Sequence, residues 1–404
     1  VITKRSIMTK RFALAGLTIL SGMMATQSYA QTGGQTTTQD GRVGVITTAV
    51  PFLRISPDAR SGAMGDVGVA IAPDANAQYW NVAKLAMSEK DMGFSITYTP
   101  WLKDIVPDVF LGYLAGYKKF GQNDNQAISG SLRYFNLGDI NYADRLGTPT
   151  GTGKPREFSF DIGYSRKLSQ YLSAGVSLRY INSNIAAGAA TEDAANYKPG
   201  SAFAADAGIY YTNTKEIGEE QSGTFSLGAV ISNLGSKISY TQTRKDYIPT
   251  NLGLGAAYTY KIDHFNKFTV ALDLNKALVP APVQKTGTDS TGVDKTYWEY
   301  PEMGVVAGVF NSFAKAPPGY GTTISLGGEY WYQDQFAVRA GYFYENKNNG
   351  ARQYFACGVG VRYSVFGLNV SYLVPSGAGI ARNPLSNTLR FSLTFEFDKI
   401  TNQS

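Results

Sequence analysis

From about residue 91 onward, apolar and polar side chains alternate along the chain in a series of short segments. In the last segment one face is apolar and the other polar: Leu389, Phe391, Leu393, Phe395 and Phe397 against Arg390, Ser392, Thr394 and Glu396. Successive side chains of a β-strand point to opposite sides of the sheet, so a period of two predicts a strand whose faces meet different surroundings. Segments at 158–165, 172–180, 268–274 and 355–363 repeat the pattern. An all-β region is therefore predicted.

Apolar and polar side chains alternate along the strands of both soluble β-sandwiches and membrane β-barrels. The residues on the polar face distinguish the two architectures. A sandwich would carry Lys and Glu on its solvent face, whereas here that face holds mostly Gly, Ser, Ala and Thr, as a crowded lumen would. Tyr and Trp gather at segment ends, for example Tyr98, Tyr258 and Tyr260, where membrane barrels have aromatic girdles. Each segment is close to the roughly 9 to 11 residues of a tilted membrane strand. The predicted fold is a transmembrane antiparallel β-barrel in the outer membrane of a Gram-negative bacterium.

The strand number follows from a rule and from the connections. About fifteen segments alternate, but single-chain bacterial barrels have an even number of strands. The segment Met303–Phe310 lies between Pro301 and Pro317 and lacks a polar face, so we assign it to a loop, as a short helix, and predict fourteen strands. Short connections then alternate with long ones, which places the short turns and both termini in the periplasm. The connection 213–223 is rather long for a periplasmic turn.

The first residues are typical of an export signal. Lys10 and Arg11 precede an apolar stretch from Phe12 to about Met24, and a small-x-small pattern ends at Ala30. We expect a cleaved signal peptide at 1–30, in which 1–7 are an upstream extension. A flexible lead at 31–42 and a plug-like, irregular or short-helical segment at 43–90, packed at or in the barrel, should follow. The barrel is expected at 91–398, and a periplasmic tail at 399–404.

Few residues in the sequence are suited to catalysis or to metal binding. Cys357 is the only cysteine and His264 the only histidine, which argues against a multi-cysteine metal site and most histidine-based catalysis. Four of the 37 basic residues precede the predicted cleavage site, which leaves 33 against 31 acidic residues and a net charge of +2. So small a surplus gives no argument for nucleic acid. We expect no enzymatic activity, no cofactor and no metal.

Two groups of residues are candidates for functional contacts. The first are charges on the polar faces, where both signs occur in similar number: Arg133, Asp161, Arg179, Asp206, Asp273, Glu329, Arg339, Arg362, Arg390 and Glu396. This balance favours pairing across strands over an ion-selective pore. The second are apolar residues in predicted extracellular connections: Trp101, Leu102, Ile105, Val106, Trp298, Phe310 and Phe313. Such groups contact a partner or lipid, or are buried among the barrel's own loops.

Residues 52–70 and 74–83 resemble the N-terminal signature of FadL-like barrels. They include Arg54-Ile55-Ser56-Pro57-Asp58 and the run Asp74 to Ala83. Residues 328–332 and 336–345 strengthen the likeness, which is greatest to the PorV (LptO) family, the FadL-like barrels of the type IX secretion system. The resemblance extends over essentially the whole mature chain. One position departs from it, because FadL-type barrels usually have Asn-Pro-Ala where this chain has Asn81-Val82-Ala83.

The resemblance implies a fourteen-stranded barrel that handles proteins. Members of this family associate with the large translocon barrel of the type IX system and receive secreted cargo proteins by their C-terminal signal domains. They deliver that cargo to the surface attachment, or sortase, machinery. The alternative hypothesis is a FadL-type outer-membrane transporter of hydrophobic small molecules, in which residues 43–90 form a movable plug.

Overall fold

A computed structural model describes twelve stretches of the chain: 48–101, 108–143, 148–185, 197–241, 245–281, 283–288, 294–299, 301–316, 319–346, 350, 352–375 and 388–398. The expected signal peptide (1–30), flexible lead (31–42) and tail (399–404) lie outside the described residues. Three of the candidate contact residues, Leu102, Ile105 and Val106, also lie outside them.

Eighteen strands occur in the described part of the chain. They are β1 (Met92–Pro100), β2 (Phe110–Phe120), β3 (Gln126–Asn136), β4 (Ile140–Ala143), β5 (Pro149–Gly153), β6 (Arg156–Lys167), β7 (Leu172–Asn184), β8 (Gly200–Glu216), β9 (Ser222–Gly235), β10 (Asn251–Lys261), β11 (Asn266–Ala277), β12 (Val283–Thr288), β13 (Asp294–Glu299), β14 (Thr322–Tyr332), β15 (Phe336–Glu345), β16 (Gln353–Tyr363), β17 (Phe366–Pro375) and β18 (Leu389–Phe397). The short helices are Pro51–Arg54, Ala59–Ala63, Ala77–Trp80, Val82–Met87, Gln122–Asp124 and Val305–Ala314. None of the helices in these stretches has the length and apolar character needed to cross a membrane.

Fourteen of these strands form one closed antiparallel barrel, so the prediction of a fourteen-stranded barrel is confirmed. Each strand pairs with the next along the barrel, and β18 pairs with β1 to close the ring, from Met92 opposite Phe397 to Tyr98 opposite Phe391. The other four strands form two small hairpins, β4–β5 and β12–β13. They lie within long connections, and the alternation in the sequence did not predict them.

The two ends of the barrel differ in the length of their connections. One end, the short-turn end, has brief turns such as 168–171 and 262–265, while the other, the long-loop end, has longer ones such as 236–250 and 278–321. The predicted long turn at 213–223 is wrong, because β8 continues to Glu216 and β9 begins at Ser222, which leaves a turn of ordinary length. Strand β1 begins and β18 ends at the short-turn end.

The outer surface of the wall is apolar and the inner surface is small and polar. Leu178 on β7 and Phe203 on β8 expose 70% and 69% of their surface outward, whereas Ser177 and Ser183 on the inner face of β7 are buried. Cys357 also faces outward. Because outward apolar side chains form a continuous band, the wall is built to meet lipid.

A charge on this band should therefore interfere with insertion. We expect Leu178→Arg, near the middle of β7, to destabilise the barrel in lipid by about 2–4 kcal/mol. The measurement is denaturant unfolding in liposomes. Leu168→Arg is the matched control, since Leu168 is 60% exposed in the turn between β6 and β7 and should tolerate a charge. Equal losses from the two changes would contradict the lipid-facing wall.

The segment 48–90, which we call the plug, fills the lumen. It begins at the long-loop end, where the backbone N–H of Ala49 donates to the carbonyl oxygen of Tyr247 at 2.9 Å. Phe52 and Leu53 are buried there among Leu111, Phe135 and other wall residues. The plug ends at the short-turn end, where the Ser88 hydroxyl lies 2.7 Å from that of Tyr117. The chain therefore runs through the whole length of the barrel before it enters β1.

Candidate functional site

The inner wall is shaped to let the plug approach its backbone. A Cβ atom at Gly341 would lie 2.0 Å from the carbonyl carbon of Met64, and one at Gly228 would lie 2.5 Å from the carbonyl oxygen of Val69. No side chain fits at such distances, so glycine is needed where plug and wall are this close. The plug is consequently held by shape as well as by polar contacts.

Polar wall side chains hydrogen-bond to the plug around much of the ring. The wall residues that do so include Tyr117, Ser129, Arg133, Ser173, Ser177, Asp273, Glu329, Tyr354 and Ser392. They belong to β2, β3, β7, β11, β14, β16 and β18. Because the contacts come from opposite sides of the barrel, no single strand carries the attachment.

The strongest attachment is an ionic cluster around Glu329, which we call the Glu329 clamp. Arg60 of the plug donates from Nε and Nη2 to the two carboxylate oxygens of Glu329, both at 2.9 Å. Arg339 on β15 donates to the same carboxylate at 2.6 Å, and Arg60 Nη1 lies 3.1 Å from Asp74. The Glu329 side chain is 2% exposed, and those of Arg60 and Asp74 are 13% and 14% exposed, so the cluster is largely shielded from solvent.

A tight plug turn is held by Asp273 on β11, the barrel strand next to the β14 strand that carries Glu329. Gly65 and Asp66 have φ of 70° and 64°, which turns the chain so that the N–H groups of Gly68 and Val69 reach the Asp273 carboxylate at 2.7 and 2.8 Å. The Lys84 ammonium donates to the carbonyl oxygen of Gly68 at 2.6 Å. The turn is therefore fixed from the wall and from within the plug.

All ten charges singled out in the sequence face the interior, and seven of them pair within the wall. Arg179 pairs with Asp161 and Asp206, Arg339 with Glu329, and Arg362 with Glu396 at 3.2 Å. The other three, Arg133, Asp273 and Arg390, are directed to the plug, with Arg390 at 3.8 Å from Asp66. Pairing across strands thus accounts for part of the set, and the plug neutralises or hydrogen-bonds the rest.

Arg133 has an unusual environment among these charges. It is completely buried, and its Nη1 donates to the carbonyl oxygen of Leu53 at 3.0 Å. Its guanidinium lies 4.5 Å from the ring centre of Tyr79 and 5.7 Å from that of Tyr113. Since no carboxylate pairs with Arg133 among the described residues, cation–π contact and carbonyl oxygens hold the charge.

The long connection between β11 and β14 contains a helix, Val305–Ala314, which we call the rim helix. Its small residues are buried and its bulky apolar residues are exposed. Its small residues Gly308 and Ser312 are buried, and a Cβ at Gly308 would lie 3.2 Å from Pro280. Its bulky residues Val306, Phe310 and Phe313 are 64%, 70% and 54% exposed. Positions 306, 310 and 313 fall on one helix face. The rim helix therefore presents an apolar stripe outward at the long-loop end.

The remaining candidate contact residues lie in different places. Trp101 is partly buried and packs edge-on against Phe135 with ring centres 6.4 Å apart, so it contacts the barrel itself. Trp298 is a residue of strand β13, which belongs to the same long connection as the rim helix. The structure therefore brings Phe310 and Phe313 together on one surface and separates Trp101 from them.

The sequence interpretation missed the plug side chains that complete these networks. Arg60, Asp74 and Lys84 had no assigned role, although Arg60 and Asp74 lie inside the segments that carry the family resemblance. Asp58, another of these, caps the helix Ala59–Ala63 through the Ser61 N–H and accepts from the Trp80 indole at 2.8 Å. The available signal was the presence of charged residues in a segment predicted to pack at or in the barrel.

The described residues hold no group of three or more His, Cys, Asp or Glu side chains arranged to bind a metal ion. His264 lies in the turn between β10 and β11 and is 64% exposed, with Nε2 at 3.6 Å from Glu220. This exposure is typical of a turn residue that is surrounded by solvent. The polar groups described in the lumen anchor the plug to the wall through hydrogen bonds and ion pairs.

These features define a plugged, fourteen-stranded antiparallel β-barrel of the outer membrane. A family described as type IX secretion system protein PorV matches residues 36–284, more than half of the chain. The chain belongs to the PorV family and is accordingly an outer-membrane component of the type IX secretion system.

The chain is also similar to several solved structures. For the toluene transporter TodX of Pseudomonas putida the identity is 12%, the coverage 83% of this chain and 95% of TodX, and the TM-score 0.46. For the toluene transporter TbuX of Ralstonia pickettii these values are 10%, 84%, 98% and 0.46. For a FadL homologue of Pseudomonas aeruginosa they are 11%, 88%, 99% and 0.41. No curated relative matches the chain.

Proposed function

We propose that this barrel acts without catalysis as an adaptor of the type IX secretion system. In this role it associates with the translocon barrel, receives secreted cargo through its C-terminal signal domain and passes the cargo to the surface attachment machinery. The observation that carries the proposal is the plug: it occupies the lumen and is bonded to the wall on many sides. A barrel filled in this way works through its surface, and family membership supplies the system in which it works.

The long-loop end supports this role because it offers a surface suited to a protein. The apolar stripe of the rim helix is bulky and exposed, and it lies in the long connection between β11 and β14. Exposed apolar residues that cluster on one face are typical of protein contacts. We assign the partner contact to Phe310 and Phe313, with Trp298 in the same long connection.

The alternative, FadL-type transport of a hydrophobic molecule, has less support from the lumen. The cavity beside the plug is lined mainly by polar and charged side chains, among them Asn233, Asn251, Asn275 and Arg352. Sites for hydrophobic ligands are lined predominantly by apolar groups. Slower uptake of such a compound in a deletion strain, with secretion unchanged, would favour the alternative.

The stripe gives a direct test of the proposed role. We expect Phe310→Ser to reduce recovery of translocon or cargo with the barrel roughly ten- to a hundredfold, because burial of a Phe side chain contributes about 1.5–3 kcal/mol. The measurement is co-purification from solubilised outer membranes. Phe265→Ser is the matched control, since Phe265 is 54% exposed at the short-turn end. Undiminished recovery with Phe310→Ser, or failure of the unaltered barrel to recover either partner, would contradict the proposal.

The orientation in the membrane follows from the same proposal. With the long loops at the cell surface, the rim helix faces the outside, and Asp398, which follows β18, lies on the periplasmic side. Thr48 and Ala49 lie at the opposite end, beside Tyr247. The geometry therefore supports a periplasmic position for the end of the barrel, but not for the start of the plug.

A further inference from the structure

A small cavity lies between the plug and the wall in the half of the lumen nearest the long loops. Its volume is about 80 Å³, and Arg54, Ser56 and Trp80 of the plug line it together with Asn251, Ser325 and Arg352. Because a buried water needs roughly 10–15 Å³ on this measure, the cavity has room for a group of several non-hydrogen atoms. We call it the Arg54 pocket.

Arg54 is a cation in this pocket for which the described residues provide no anionic partner. Its side chain is partly buried and makes no hydrogen bond or ion pair within the described residues, where Arg352 is held by both oxygens of Glu345 at 2.6 and 3.0 Å. Arg352 lines the same pocket, so two guanidinium groups share it, and Arg54 is the one without an ionic partner in the described residues. An anion beside Arg54 would reduce the repulsion between the two cations.

The other charged residues that line the pocket each have at least one partner, although the Asp66 Oδ1 atom makes no hydrogen bond in the described part of the chain. Arg179 is bonded to Asp161 and Asp206. Asp66 accepts from the Tyr354 hydroxyl at 2.5 Å and lies 3.8 Å from Arg390. Arg54 is therefore the cation lining the pocket that has no ionic partner within the described part of the chain.

Two buried hydroxyl groups give an independent sign that the pocket is built for a ligand. Ser56 is 2% exposed and Ser325 is completely buried, yet neither hydroxyl has a hydrogen-bond partner in the described part of the chain. Buried polar groups are nearly always hydrogen-bonded, because an unmatched one is costly. A guanidinium and two hydroxyls are all donors to an oxygen anion.

We propose that the Arg54 pocket binds a single carboxylate group. The planar guanidinium matches a carboxylate through two parallel hydrogen bonds, and the hydroxyls can satisfy the remaining oxygen lone pairs. The carboxylate could come from a free small acid or from an acidic side chain of a protein bound at the long-loop end. The pocket itself does not depend on the proposed secretion role.

The test uses the full-length barrel in detergent and isotope-labelled acetate, followed by saturation-transfer NMR at constant ionic strength. We expect saturable binding of acetate, weakened roughly tenfold or more by Arg54→Gln and several-fold by Ser325→Ala. Lys245→Gln is the matched control, because Lys245 is an exposed cation in the connection between β9 and β10. Heat-modifiable migration on gels shows whether each variant has folded.

The outcomes separate the pocket from the secretion role. Acetate binding that Arg54→Gln and Ser325→Ala leave unchanged would overturn the proposal, as would chloride competing as well as acetate. Release of captured cargo by acetate assigns the carboxylate to the partner, whereas cargo retention at saturating acetate assigns it to a free acid, and both support the pocket. If the unaltered barrel captures no cargo, the secretion role fails while the acetate titration still decides the pocket.

Discussion

Glu329→Gln should loosen the plug and let ions pass through the barrel. Glu329 is 2% exposed and accepts hydrogen bonds from Arg60 and Arg339. The substitution keeps the shape but leaves two buried guanidinium groups facing a neutral amide. Removing one member of a buried ion pair destabilises by about 3–5 kcal/mol. We expect purified wild-type barrel to be nearly silent in planar lipid bilayers, and the variant to show frequent openings.

Glu216→Gln provides the matched control for this experiment. Glu216 is an exposed carboxylate at the short-turn end of β8, so its replacement should leave conductance unchanged. Proteolysis of the plug in detergent gives a second readout, because a loosened plug becomes cleavable between residues 48 and 90. A silent, protease-resistant Glu329→Gln barrel would show that the clamp does not hold the plug.

Gly341→Ala should displace the plug by contact alone, without any change of charge. The new Cβ would lie 2.0 Å from the carbonyl carbon of Met64 and 2.3 Å from the backbone nitrogen of Gly65. Overpacking costs about 1–3 kcal/mol where neighbours can shift. Here the neighbours are backbone atoms held by the Glu329 clamp and by Asp273, so we expect a cost at or above that range. The measurements are bilayer conductance and the thermal unfolding temperature.

The neighbouring strand offers a control with the same chemistry. Gly328 on β14 faces outward, and a Cβ there would meet nothing closer than 3.9 Å. Gly328→Ala should therefore leave plug retention and conductance as in the wild type. If Gly341→Ala and Gly328→Ala gave the same conductance and unfolding temperature, the close approach of plug and wall would be refuted.

The barrel could be predicted from the sequence because its cause is local. Each strand separates lipid from the lumen, so its residues alternate between apolar and small or polar side chains. The segments around Phe391 and Val176 can therefore be recognised as strands without knowledge of their neighbours. Closure into a ring then fixes an even strand number. The segment around Phe310 lacked a polar face, and the structure has a helix there.

The interior could be predicted only in part because its partners are distant in the chain. Arg60 and Glu329 are 269 residues apart, and Ala59 and Ser392 are 333 apart. The alternation shows that Asp273 and Arg133 point inward, but nothing local shows that backbone groups of the plug will meet them. The hairpins β4–β5 and β12–β13 were missed because their strands are short, with four to six residues each, and lie within long connections.

Because the plug runs through the barrel, the chain crosses the membrane an odd number of times instead of an even number. Fourteen strands alone would return the polypeptide to the side from which it set out, but the plug adds a fifteenth passage, from Thr48 beside the long loops to Lys90 beside Asp398. Labels attached at Thr48 and at Asp398 therefore report on opposite faces of the outer membrane.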